Sequence, residues 1–297
     1  AGDVAVVKES ASERATLHRI APHLAQKTPY VIPTGSVRSK LLLRAALWAY
    51  ERLGGVERAD YHEVWSTGEL AEKEPLIERS RLNGAVVYPE FLTDDSRLTV
   101  ATVRSAIDNG ATAVTYLKAT NIRKDQTFSI DAASTLPGET YELTINARAV
   151  VNAAGPWVDQ VCDLEQAQPP RLALSRGVHL VFDHADLPVR NTVVMRTPDA
   201  RRIFAVPLGQ YTYIGTTDDY HPEHEYWPPV TDQDVSYLLA TTQRAMPEAS
   251  LSADRIVSVW SGIRPLVGDG SGRASKELSR KDEVWACLLY TSPSPRD

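Results

Sequence analysis

The segment 149–157, which reads AVVNAAGPW, constrains the fold more than any other part of the sequence. Its first five residues are small or apolar apart from Asn152, a pattern typical of a parallel strand that is buried on both faces. Gly155 ends the run, and Pro156 suits the first turn of a helix over 157–164. The segment therefore predicts a strand, a tight turn and a helix in succession. Small side chains at such a turn let the backbone approach a flat ligand, although a turn without any ligand is the alternative.

The composition is that of an ordinary soluble globular protein. The chain has 297 residues, of which 43% are hydrophobic and 24% charged, and its formal charge is 32 − 38 = −6. This length allows about two domains of ~150 residues. The hydrophobic and charged fractions exclude a disordered polyelectrolyte. The negative net charge disfavours a nucleic-acid partner, since phosphate contacts need a basic field. A small anionic substrate remains compatible with a few well-placed arginines.

Cysteine usage and hydropathy limit the compartment. Cys162 and Cys287 have no metal-binding or redox spacing, which favours two reduced thiols over one disulfide. No apolar run approaches the ~18 residues that span a bilayer, and the start does not resemble a secretory signal. The first residue is Ala rather than Met, so we expect that the chain need not begin at a natural start.

Periodicity predicts helices and strands along most of the chain. The expected helices are 3–24, 39–53, 96–109, 157–164 and 232–246. The expected strands are 85–88, 112–119, 122–132, 140–147, 149–153 and 255–262, with an antiparallel meander over 171–215. Residues 166–170 are a predicted linker. The last eleven residues, 287–297, change abruptly to a Ser- and Pro-rich sequence and are interpreted as a non-native tail.

Two side chains have the chemistry of a site. Alternation along a strand places His179 on the face opposite to Val178, where an imidazole can exchange protons near neutral pH; a core histidine satisfied by the backbone is the alternative. Arg264 stands beside Gly262 and Pro265 at a strand end, which suits capture of a carboxylate or phosphate; scattered surface arginines are the alternative. A metal at HPEHE, residues 221–225, is disfavoured because Pro222 interrupts it and no third ligand has a suitable spacing.

Six segments, in this order, resemble the FAD-dependent glycerol-3-phosphate dehydrogenase family. They are ESASERATLHRIAPHL (9–24), DDSRLTVATVRSAIDNGA (94–111), VVNAAGPWVDQV (150–161), SRGVHLVF (175–182), IGTTD (214–218) and SGIRPLV (261–267). The resemblance extends from about residue 4 to residue 284. Each motif alone is weak, and the ordered set is specific.

The resemblance implies an α/β (α+β) fold of the D-amino-acid-oxidase type. A partial Rossmann-like FAD-binding domain would comprise 1–27, 88–168 and 263–286, and an antiparallel-sheet substrate domain would comprise 28–87 and 169–262. The family's G-x-G-x-x-G segment and its C-terminal domain are not found in this sequence. The chain therefore resembles an internal fragment of such an enzyme.

The resemblance also implies roles for individual residues. His179, Arg264 and Arg280 match positions that line the substrate pocket, the histidine as a base and the two arginines as phosphate and hydroxyl ligands. The residues expected beside FAD are Ala119, Ala153, Gly155, Pro156 and Trp157.

The implied reaction is hydride transfer from glycerol 3-phosphate to FAD, with electrons passed to a membrane quinone. It implies a protein at the cytoplasmic face of the membrane, peripherally attached, and allows a homodimer. The alternatives are an oxidase that uses oxygen, a related hydroxy-acid or amine oxidoreductase, and a non-catalytic module that binds a phosphometabolite.

Overall fold

The computed structural model describes residues 4–165 and 171–267. Within these ranges six α-helices form: α1 (Val4–Ile20), α2 (Val37–Gly54), α3 (Thr67–Lys73), α4 (Asp95–Asp108), α5 (Val158–Asp163) and α6 (Asp232–Ala245). Local signals set several of their ends. At the start of α2, Ser36 and Ser39 form a capping box, and Gly55 ends the helix with a φ of 64°. Thr231 and Asp234 form the corresponding box at α6.

The strands of the described residues form two sheets. They are β1 (Ala25–Pro33), β2 (Glu63–Trp65), β3 (Ala85–Thr93), β4 (Leu117–Lys124), β5 (Phe128–Ser134), β6 (Glu142–Ala147), β7 (Leu172–Asp183), β8 (Thr192–Arg196), β9 (Arg202–Leu208), β10 (Tyr211–Gly215), β11 (Asp219–Tyr220) and β12 (Ile256–Val267). The larger sheet has the order β11-β7-β10-β9-β8-β1-β3-β2, with β12 also paired to β7. The smaller sheet has the order β4-β5-β6. The strands predicted over 171–215 form and pair antiparallel, but the predicted meander is wrong. Strands β8, β9 and β10 are consecutive neighbours, whereas β7 pairs with β10 and not with β8, which is a Greek-key order.

The chain divides into two compact units. In the described residues the first unit comprises 4–104, 177–217 and 227–262, and the second comprises 105–165, 171–176, 218–226 and 263–267. The predicted domain boundaries stay a prediction. In this division 4–27 and 88–104 fall in the same unit as β8, β9 and β10. The reason is the long antiparallel ladder between β1 and β3, which runs from Ala25–Thr93 to Pro33–Ala85.

The core of the first unit lies on one face of the larger sheet. Along β7, alternate residues Val178, Leu180 and Phe182 are fully buried in it. The core also includes Met195, Ile203 and Ile214 from neighbouring strands, Leu238 of α6 and Met246, which caps that helix. Each such side chain contributes about 1.5–3 kcal/mol when fully buried. The core therefore fixes which side chains of β7 point to the opposite face.

Four predictions from periodicity are wrong in detail. The strand predicted at 122–132 is the end of β4 and most of β5, which are separated by a bend at 125–127. Residues 149–153 form no strand, and Val151 is 87% exposed, because no described strand lies beside this segment to pair with it. The strand predicted at 112–119 begins only at Leu117. The first helix ends at Ile20 rather than residue 24, since Ala25 already starts β1. The predicted linker 166–170, Arg280, Cys287 and the predicted tail lie outside the described residues.

Candidate functional site

His179 lies on the face of β7 that points away from the core. Its neighbours Val178 and Leu180 are both fully buried on the core side, so alternation directs the imidazole to the other face. In the antiparallel ladder His179 is opposite Gly215 of β10. The position predicted from the sequence pattern is therefore confirmed for this side chain.

Two aromatic rings surround the imidazole, and together with it they form what we call the histidine–aromatic cluster: His179, Tyr213 and Trp260. The imidazole stacks on the indole of Trp260, with 4.7 Å between ring centroids and 17° between ring planes. The ring of Tyr213 meets the imidazole edge-on, at 5.8 Å and 74°. Tyr213 and Trp260 also contact each other, with centroids 5.1 Å apart. The three rings thus fix one another's orientation.

The imidazole is confined on its other side by the backbone of Gly215. A Cβ atom added at Gly215 would lie 2.1 Å from His179 Cδ2 and 2.8 Å from both Cγ and Nε2. The space that any other residue would use at this position is therefore occupied by the imidazole. The ring is held between a glycine and an indole, which is a well-defined position for a group that exchanges protons.

Further aromatic residues continue along the same unit. Tyr30 contacts Tyr88 at 5.8 Å and Phe204 at 6.0 Å between ring centroids. Burial raises the pKa of Tyr88 to about 12, with the nearby carboxylate of Glu90 adding to the effect. Burial likewise raises the pKa of Tyr213 to about 12. Both phenols therefore stay neutral at physiological pH and can donate a hydrogen bond there.

Arg264 belongs to the second unit, where it faces a carboxylate. Its Nη1 lies 3.5 Å from Asp218 Oδ1, and the hydroxyl of Ser175 donates a hydrogen bond to the same oxygen. The Arg264 side chain is 31% exposed and that of Asp218 is 15% exposed. The pair holds a guanidinium at a partly open position without leaving a buried charge uncompensated.

The segment predicted to lie beside FAD forms an open turn in the second unit. Asn152 organises it: its Oδ1 accepts from the backbone N–H of Ala154 at 3.2 Å, and its Nδ2 donates to the carbonyl of Val158 at 2.9 Å. Gly155 has a φ of 55°, a conformation that favours glycine, and it starts a 3₁₀ turn through Trp157.

The surroundings of this turn are compatible with a flat ligand. The ring of Trp157 lies against Tyr226, with 4.6 Å between centroids and 30° between planes. A Cβ added at Gly155 would meet no described atom within 4 Å, so the backbone there is open. Ala119, which is also expected near FAD, is a half-buried residue of β4 in the same unit.

His179 and Arg264 belong to different units, so their predicted convergence on one cavity stays a prediction. In the HPEHE segment, residues 221–225, the imidazole of His221 contacts two neighbouring carboxylates: its Nε2 lies 3.1 Å from Glu225 and its Nδ1 lies 3.5 Å from Glu223. Across the described ranges, His, Cys, Asp and Glu side chains form no group of three that could hold a metal.

Sequence reasoning assigned no role to three residues that contact or confine the imidazole: Gly215, which lies in the motif IGTTD, Tyr213 and Trp260. Period-2 alternation along β10 is a signal for the first two, because both lie on the face opposite to buried Ile214. Trp260 carried no comparable signal. Its position depends on the pairing of β12 with β7, which joins strands that are far apart in the sequence.

The chain belongs to the FAD dependent oxidoreductase family, whose model matches residues 3–293. Its similar relatives include the aerobic glycerol-3-phosphate dehydrogenases of Staphylococcus haemolyticus and Staphylococcus epidermidis. They are 35% and 36% identical over 289 residues, which is 95% of this chain and 51% of each relative. The chain thus spans about half the length of these curated relatives.

Solved structures agree with the family. A glycerol-3-phosphate dehydrogenase from Bacillus halodurans, complexed with FAD, has a TM-score of 0.75 and 33% identity, covering 88% of this chain and 48% of that one. Glycine oxidase from Geobacillus kaustophilus has a TM-score of 0.65 at 21% identity, covering 87% and 67%, and so supports the fold alone. The implied D-amino-acid-oxidase-like α/β fold is confirmed. None of the described helices is both long and apolar enough to cross a membrane.

Proposed function

We propose that this chain is part of an FAD-dependent glycerol-3-phosphate dehydrogenase, which oxidises the C2 hydroxyl of sn-glycerol 3-phosphate to the ketone of dihydroxyacetone phosphate. The observation that carries the proposal is the similarity to aerobic glycerol-3-phosphate dehydrogenases over 95% of the chain. The ordered imidazole of His179 supports it, because the reaction needs a group that takes the proton of the hydroxyl.

The turn at 153–157 fits a flavin. Its small residues leave the backbone accessible, and Gly155 holds a φ that other residues avoid. Ala153, Gly155, Pro156 and Trp157 would lie against FAD, with Ala119 of β4 near its adenine. When bound, FAD supplies the acceptor for the hydride that leaves C2.

The chain's own residues would orient the substrate and move its proton. His179 would accept the proton of the C2 hydroxyl at an imidazole nitrogen, in an orientation fixed by Trp260 and Gly215. Arg264 and Arg280 would hold the phosphate through charge-assisted hydrogen bonds. Asp218 would keep Arg264 in place, since it already forms an ion pair with its Nη1.

Two substitutions in the full-length protein that carries this chain test these roles. Arg264→Ala should raise KM for glycerol 3-phosphate at least ~10-fold more than for glycerol, since each lost charge-assisted hydrogen bond is worth about 1.5–3 kcal/mol. His179→Ala should mainly lower kcat, by the roughly 10²–10⁴-fold typical of a lost acid–base group.

A matched control is Arg255→Ala, which removes an exposed arginine of the first unit that pairs with Asp186. This control should leave KM and kcat near the wild-type values. An Arg264→Ala enzyme with an unchanged preference for the phosphorylated substrate would contradict the assignment. So would a His179→Ala enzyme with full turnover.

We also propose a membrane quinone as electron acceptor, with peripheral attachment at the cytoplasmic face of the membrane and a homodimeric assembly. The Staphylococcus relatives are named dehydrogenases rather than oxidases, and this favours a quinone over oxygen as the acceptor. Steady-state assays with a soluble quinone and with oxygen separate the two. Stoichiometric hydrogen peroxide with no quinone reduction would instead identify an oxidase, and size-exclusion chromatography with light scattering measures the assembly.

A further inference from the structure

A second groove, lined by arginines, lies in the first unit. It has a volume of about 890 Å³ and lies between the ends of β1 and β8, the segment 77–82 and the end of α6. Its lining includes four arginines, Arg81, Arg196, Arg202 and Arg244, and we call it the arginine groove. None of the residues assigned to the proposed active site lines it.

The groove exists because two neighbouring strands separate. Strands β1 and β8 pair in parallel at only two positions, Tyr30–Thr192 and Val31–Val193. Beyond these pairs the strands no longer form a ladder, and Ile32 of β1 and Val194 of β8 line the opening. The groove is thus part of the sheet architecture, and its apolar base is built from strand residues.

Its charge is strongly one-sided. The arginines come from four different segments, and in the described part of the chain none of the four guanidinium groups forms an ion pair or a side-chain hydrogen bond. Glu78 is the one carboxylate among the described lining residues, and its Oε1 accepts from the backbone N–H of Ser80 at 2.7 Å. Four cations against one anion leave a local charge of 4 − 1 = +3 on a chain whose total is −6.

The strand register places two of these exposed arginines directly opposite each other. Arg196 of β8 and Arg202 of β9 are direct cross-strand partners. Like charges at directly opposite positions of an antiparallel pair are destabilising. Arg244, in the last turn of α6, has a simpler explanation, since a cation there offsets the helix dipole. That explanation does not extend to the two facing strand arginines.

We propose that the arginine groove is a second anion site, which binds a multiply charged phosphate group. Planar guanidinium groups bind phosphate oxygens in pairs, and several of them can surround a diphosphate. Strands β8 and β9 are three and two strands away from β7, which is at least two strand spacings or about 10 Å. A phosphate bound in the groove is therefore distinct from one bound beside His179. The same chemistry fits a free phosphorylated metabolite and an anionic lipid headgroup.

The test measures binding of sodium pyrophosphate to the full-length protein by isothermal titration calorimetry. Arg196→Gln/Arg244→Gln should weaken binding at least ~10-fold, because it removes two charge-assisted contacts. The matched control Arg52→Gln/Arg104→Gln removes the same charge from two exposed arginines of α2 and α4 that do not line the groove. It should bind within about twofold of wild type, if the effect is local rather than a change in net charge.

Two further arms separate this site from the proposed substrate site and identify the source of the phosphate. Arg264→Ala should retain the pyrophosphate affinity that the groove variant loses. Loss of pyrophosphate affinity in Arg264→Ala, together with unchanged affinity in the groove variant, would overturn the proposal and leave the proposed function intact.

Flotation with phosphatidic acid vesicles, compared with pure phosphatidylcholine vesicles, tests whether the groove binds a lipid headgroup. Retention of both pyrophosphate and vesicle binding by the groove variant, or absence of both in wild type, also overturns the proposal.

Discussion

Gly215→Ala is the sharpest test of how the site is built. The added Cβ would lie 2.1 Å from His179 Cδ2, whereas Cβ atoms essentially never approach a non-bonded heavy atom of another residue closer than 3.0 Å. The imidazole must therefore move by about 1 Å, as the repulsion between non-bonded atoms requires. Its other face is stacked on Trp260, so this ring must move as well.

The expected loss of stability depends on which side chains can move. Overpacking of this kind typically costs about 1–3 kcal/mol of stability. Trp260 is 41% exposed and can shift toward solvent, which places the expected cost in the lower half of that range, about 1–2 kcal/mol. Under the proposed role of His179, the expected effect on kcat is larger, because a displacement of about 1 Å at a reacting group can lower the rate by about 10²-fold.

A double-mutant cycle isolates the contact. Removing the imidazole opens the space that the new methyl group needs, so Gly215→Ala should be nearly neutral for stability in a His179→Ala background. The coupling free energy between the two positions should therefore be about 1–2 kcal/mol, measured by urea unfolding of all four proteins. Gly262→Ala is the matched control, since a Cβ there meets no described atom within 4 Å. Equal costs of Gly215→Ala with and without the imidazole would refute the reasoning.

Three further outcomes are expected. The 297-residue chain should bind FAD weakly, because its sequence has no G-x-G-x-x-G turn for the pyrophosphate, and flavin absorbance at a 1:1 ratio after purification would contradict this. The hydrogen bond from Arg123 is the main reason why the pKa of Asp131 is lowered to about 2. The ionised carboxylate should therefore stabilise the fold fully above its unfolded pKa of about 4, and this stabilisation is lost as the pH falls toward 2. The destabilisation caused by Asp131→Asn, measured by urea unfolding, should shrink from pH 6 to pH 3. Glu74→Ala should lower the free energy of unfolding by about 1–3 kcal/mol, because the buried carboxylate accepts from the backbone N–H groups of Arg190 and Asn191, and Glu74→Gln should lose less.

The sequence predicted those elements whose signals are local. Periodicity placed α2 and α6 within a few residues of their observed bounds. The alternation around His179 predicted its face, because the buried residues on either side fix the strand's orientation. Such predictions need no knowledge of which other segments lie nearby.

The wrong or missing predictions concern residues whose environment depends on distant parts of the sequence. The apolar run at 149–153 predicts a buried strand only if a neighbouring strand pairs with it, and no described strand does. Trp260 could not be assigned to the site, because its stacking on His179 depends on a pairing between distant strands. A hydrophobic pattern states that a segment can be buried, whereas the partner that buries it is set by tertiary structure.

Strand β7 shows how stability and chemistry are separated within one element. Val178 and Leu180 are fully buried in the core, while His179 between them stacks on Trp260 at the opposite face. The tight core packing fixes the backbone of β7, and the backbone in turn fixes the direction of the imidazole. On the site face, Gly215 gives the ring its space. The position of the proposed proton acceptor is therefore set by the core packing beneath it. Glycine at position 215 leaves the space that the imidazole ring occupies.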